Sequence, residues 1–152
     1  MLWLVLLFSC TYSALATEWN CAAADGVFTL STDCTINNDI DVTGKLNVTG
    51  IPDAQGNLPK IIGGGSNRLF KVESGGELVV KFLNLTGGMA SETECSLPYS
   101  ECAGGAVYVH GSQFHSIASV VTNNRAYYGG GVFCTNGANC TFMNSTVSHN
   151  TA

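Results

Sequence analysis

The sequence predicts an all-β chain wound as a parallel β-helix, a solenoid in which each coil lays its strands on those of the coil before. Three observations predict it. Gly104, Gly105, Ala106 and Val107 recur as Gly130, Gly131, Val132 and Phe133, and Asn124-Arg125-Ala126 recurs as Asn150-Thr151-Ala152, all 26 residues on. A period of that length, rich in Gly, Asn and Thr with short apolar runs, is the mark of stacked β units. Upstream, Ile36, Ile40, Val42, Leu46 and Val48 stand apart from one another with polar residues or Gly between them, the period of two of strands with one buried face. And no segment holds apolar residues at helical spacing for three turns.

Taken in order, residues 1 to 16 are an apolar run ending in Ala14-Leu15-Ala16. That small-x-small ending predicts a signal peptide cleaved after Ala16, although no Lys or Arg precedes the run. The segment is shorter than the roughly 20 residues a membrane span needs. No second apolar segment follows, so the mature chain is expected without a membrane span and in an extracellular or cell-surface location. Residues 17 to 34, bounded near their ends by Cys21 and Cys34 and carrying Trp19, are expected to form an N-terminal cap, because an open coil end is a wet sheet edge. Coils then run over 35–152. Pro52 to Pro59 reads as a loop, Leu69 to Val72 as a strand, and Ser74-Gly75-Gly76 as a turn. In the strand that follows, Leu78, Val80 and Phe82 are expected on one face, Val79 and Lys81 on the other.

Moving Leu85-Thr86-Gly87-Gly88 forward by 36 residues lands it on Val121-Thr122-Asn123-Asn124. This is the same unit with ten residues added, and they correspond to the insert loop 91–102. Insertions leave a solenoid at its surface. In the resulting register Asn124 and Asn150 should stack about 4.8 Å apart as an asparagine ladder. The chain stops at Ala152 where the repeat would continue, so the expectation is a C-terminally truncated solenoid, the front part of a longer protein.

Composition removes several functions. Charged residues are 11% of the chain against about 25% in ordinary globular proteins, while Asn, Ser and Thr fill 40 of 152 positions. The surface is therefore neutral and hydrogen-bonding. A net charge of −5 with six Lys and Arg excludes nucleic acid as a main partner. The Gly63-Gly64-Gly65 run lacks the Lys-Ser/Thr of a phosphate loop. No cofactor is implied.

Six cysteines lie outside the leader: Cys21, Cys34, Cys95, Cys102, Cys134 and Cys140. An even number in an exported chain points to disulfides. Fifteen pairings are open, and sequence neighbourhood favours Cys21–Cys34, Cys95–Cys102 and Cys134–Cys140. No pair has the spacing of a zinc knuckle. Sequons stand at Asn47, Asn84, Asn139 and Asn144, the third with Cys140 in its middle position.

The motifs GGAV with VTNN and GGGVF with VSHN resemble the Gly-Gly-Ala-Ile and Phe-x-x-Asn repeats of the polymorphic outer membrane protein family, within the pectin-lyase-like superfamily. The resemblance covers about Thr35 to Ala152, with Val121 and Val147 in place of Phe. It implies a right-handed β-helix, and either surface adhesion or action on acidic polysaccharides. Enzymes of that kind need carboxylates in register, for calcium or for acid and base. From Cys102 to Ala152 there is no Asp or Glu. Upstream, Asp39 and Asp41 are placed to share a strand face, and Glu73 and Glu77 flank a turn. None of His110, His115 and His149 has a His at the repeat interval, so they read as surface or turn residues. No catalytic residue is assigned. Arg125 with Tyr127 and Tyr128 offers a place for sugar rings to stack, or for aromatic packing between coils. Thr does not recur at the repeat interval, which argues against a flat ice-binding array. The reading is a secreted or cell-surface module with an adhesive or structural role and polysaccharide or cell-surface glycans as partners. The alternative is a piece of a polysaccharide-active lyase, hydrolase or epimerase whose active site lies past residue 152.

Overall fold

A computed structural model describes residues 17–90 and 101–152; the expected signal peptide and most of the insert, with Cys95, lie outside them. Every strand pairing among the described residues is parallel, and the strands form three sheets. The chain supplies them in rotation. After β1 (Thr17–Glu18), β2 (Gly26–Leu30) joins sheet A, β3 (Cys34–Ile36) sheet B and β4 (Ile40–Val42) sheet C. The next pass gives β5 (Lys45–Gly50), β6 (Lys60–Gly63) and β7 (Phe70–Val72), and the third β8 (Glu77–Lys81), β9 (Asn84–Thr86) and β10 (Val107–His110). Then come β11 (Gln113–Ile117), β12 (Val120–Thr122) and β13 (Val132–Thr135), and finally β14 (Asn139–Met143) and β15 (Thr146–Ser148). Sheet A already contains β2, so it reaches into the stretch expected to be a separate cap.

Alternation within each strand sends one set of side chains inward, and the register stacks them into columns. Cys34, Ile61, Leu85 and Val121 form one column in sheet B. Ile40, Phe70 and Val107 form one in sheet C, and Leu46, Leu78 and Phe114 one in sheet A. All ten are buried. Each fully buried aliphatic or Phe side chain in these columns contributes about 1.5–3 kcal/mol relative to leaving it in water. Most of the core is thus built from short-range copies of one contact, inward residue upon inward residue.

Corners are made by residues in the left-handed region. Phe82, Ala118 and Asn144 leave sheet A with φ of 52, 48 and 51°, and Gly87, Asn123 and His149 leave sheet B with φ of 68, 56 and 54°. Phe82 is consequently exposed, not inward beside Leu78 and Val80 as simple alternation predicts. The corner reverses the side-chain sequence before the strand rule can reach it.

The 26-residue interval holds where Gln113 pairs with Asn139 and Val120 with Thr146. In sheet C it is 25: Val107 pairs with Val132, not Phe133. The reason is a corner of three residues, 136–138, between β13 and β14, against two between β10 and β11. Gly104 and Gly129 accordingly share the same φ, 68 and 55°. Gly105 is required for another reason, since a Cβ there would sit 2.1 Å from the Gly130 carbonyl oxygen of the next pass.

Cys21 is bonded to Cys34 and Cys134 to Cys140. Cys102 is also in a disulfide. Among the described residues no helix is long and apolar enough to cross a membrane.

Candidate functional site

The outer face of sheet C collects the groups with most chemistry to offer. Outward positions align as Asp41, Lys71, Tyr108 and Phe133. Beside them His110 pairs with Thr135. Tyr108 and Phe133 stack with centroids 6.2 Å apart and planes 4° from parallel, and His110 lies at 9° to Tyr108. Tyr128 leans on Phe133 at 6.4 Å, and Tyr127 meets Tyr128 edge to face at 4.7 Å. Stacking and edge contacts of this kind contribute about 0.5–1.5 kcal/mol each beyond burial. Tyr127 and Tyr128 keep 37% and 38% of their surface open to water, as a hydrogen-bonding module with apolar ring faces.

Charges frame the rings. Arg68, 4% exposed, places its guanidinium 5.4 Å from the Tyr108 ring centre, pairs through Nε with Asp39 at 2.6 Å, and donates from a terminal nitrogen to the Ala103 carbonyl at 2.9 Å. Burial raises the Asp39 carboxyl above its ordinary range, against the pull of Arg68. Burial also raises the Tyr108 phenol, with the Glu73 carboxylate adding to it. Lys71 and Glu73 form an ion pair at 3.2 Å. Asp39, Asn67, Arg68 and Glu101 line a cleft of about 260 Å³ at the root of the insert.

Asn124 and Asn150 do structural work at the corner after sheet B. Asn124 Oδ1 accepts the Gly88 amide at 2.8 Å, and its Nδ2 faces the carbonyls of Leu85 and Thr122 and Asn150 Oδ1, at 2.9–3.1 Å. Asn150 repeats the pattern: Oδ1 accepts the Asn124 amide and Nδ2 donates to the Val121 carbonyl. A second stack went unseen in the sequence. Ser119 Oγ accepts the Leu83 amide, Ser145 Oγ accepts the Ser119 amide, and each hydroxyl donates to the carbonyl two residues before it. Ser119 and Ser145 are 26 residues apart, and that spacing was the available signal.

The histidines separate. His110 lies on the aromatic face, His115 Nδ1 contacts Thr141 Oγ1 at 2.7 Å on sheet A, and His149 is at a corner, Nδ1 3.1 Å from Ser148 Oγ. Arg125, exposed, bridges Met89 and Thr151 through its backbone. Asp41 lies on the outer face of sheet C and Asp39 just before its strand, while Glu77 is on sheet A, paired with Lys45 at 3.0 Å. Asn47 and Asn139 are on sheet A, Asn84 is on sheet B, and Asn144 is at the corner joining them. In sheet B, Thr35, Ile62, Thr86, Thr122 and Ser148 form one outward column, hidden in the sequence because its intervals are unequal. Among the described residues no three of His, Cys, Asp and Glu converge as a metal site. No family model, curated protein or solved structure matched the chain.

Proposed function

We propose that this chain is a right-handed parallel β-helix acting outside the cell as a non-catalytic adhesive module, and that it binds glycans through the outer face of sheet C. Parallel strands joined by crossovers are right-handed in about 98% of cases, which supports the hand. The two disulfides fit an oxidising compartment. The single observation that carries the ligand class is the pair of part-exposed tyrosines, Tyr127 and Tyr128, built against Phe133 on a neutral surface rich in hydroxyls and amides. Pyranose rings present C–H groups to such faces and hydroxyls to their polar surround, so apolar stacking and hydrogen bonding act together.

Binding of the secreted chain to immobilised neutral and acidic polysaccharides tests this. Retention that falls about tenfold in Tyr128→Ala, the worth of one stacked ring, supports it. New reducing or unsaturated sugar ends would replace it with the enzymatic alternative.

A further inference from the structure

All four sequons lie away from sheet C. Asn47 sits in β5 between Leu46 and Val48, both fully buried, so alternation turns it outward on sheet A. By the same rule Asn84, beside buried Leu85, faces outward on sheet B. Asn139 and Asn144 are exposed, at the start of β14 and at the corner before β15. At Asn47 and Asn84 the carbonyl Oδ1 is buried without a hydrogen-bond partner, whereas the amide nitrogen, the atom that carries an N-linked sugar, is not buried in this way. The strands of sheet C, β4, β7, β10 and β13, contain no sequon.

We infer that N-glycans clothe sheets A and B and leave sheet C as the bare contact face of the molecule. The inference rests on the export reading, because only a chain entering a secretory pathway meets the glycosylating enzyme. It does not rest on what sheet C binds. A glycan is bulky and mobile, so it shields neighbours on its own face. Lys60 pairs in register with Asn84, and Lys45 lies two residues before Asn47 on the same face. Lys71 is on sheet C.

The test expresses the chain in a secreting eukaryotic cell behind a heterologous signal peptide, with a parallel arm carrying residues 1–16. Site occupancy is read by mass spectrometry after enzymatic deglycosylation in heavy-oxygen water. Lysine acylation is then compared with and without glycans. The expected result is majority occupancy at Asn47, Asn84 and Asn144, less at Asn139 beside the disulfide-bonded Cys140. On deglycosylation Lys45 and Lys60 labelling should rise about twofold or more and Lys71 stay unchanged. Bare Asn47 and Asn84 in folded secreted protein, or Lys71 labelling that rises with Lys60, would overturn it. Export failing only in the arm with residues 1–16 would remove the export reading while leaving the glycan map intact.

Discussion

The two ends of the stack treat equivalent side chains in opposite ways. At the first passes Trp19 is 2% exposed, its ring 6.0 Å from that of Phe70 and its Nε1 donating to the Ala23 carbonyl, and Ala23, Ala24 and Cys21 pack on the core. At the last pass Val147 occupies the inward column that begins with Cys34, Ile61, Leu85 and Val121, yet it is 48% exposed. Phe142, in register with buried Ser116, and Met143 are exposed with it. An inward position therefore has no fixed worth in this architecture. Its contribution is set by whether something is stacked on both sides of it.

That comparison predicts a gradient of mutational cost. Trp19→Ala should be the most damaging, about 4 kcal/mol by denaturant unfolding, since it empties the covered end. A loss below about 1 kcal/mol would mean that the end is held by the disulfide instead. Asn124→Ala should cost about 2–3 kcal/mol, because it strands the Gly88 amide and the Leu85 carbonyl inside the stack. Asn150→Ala, half-buried, should cost less, and an equal loss would show that the last pass is as tightly closed as the middle. Val147→Ala should change stability by less than about 0.5 kcal/mol. Smallest is the pH effect at Glu18, whose carboxylate accepts the Ser31 amide at 2.7 Å, an interaction that lowers its pKa. Lowered in the fold, it stabilises above its unfolded pKa of about 4.3, and that contribution disappears as pH falls through the folded value. Hydrogen exchange at Ser31 should accelerate over that window, and Glu18→Gln should remove the pH dependence.

Strand alternation and the Gly-Gly-x-Val and Asn-x-Ala copies were enough to read the all-β class and the inward residues Ile36, Ile40, Val42, Leu46 and Val48, because each depends on neighbours two residues away. The aromatic face was only partly legible. Tyr127 and Tyr128 stand side by side, but Lys71, Tyr108 and Phe133 meet through intervals of 37 and 25 residues that no single period reveals. Arg68 was invisible for a related reason: its partners, Asp39 and the Ala103 carbonyl, come from the passes on either side. Phe82 misled because a corner with positive φ looks like a strand position in the sequence.

Register partners are separated by as few as 20 residues, as for Gly26 and Leu46, and by as many as 37, as for Phe70 and Val107, yet the sheets remain continuous. The difference is absorbed between strands. Each corner is thus a socket with two anchored ends, able to carry a foreign peptide as a displayed loop while the neighbouring passes keep their spacing, and the three-residue corner 136–138, tied across by Cys134–Cys140, is the best braced of them.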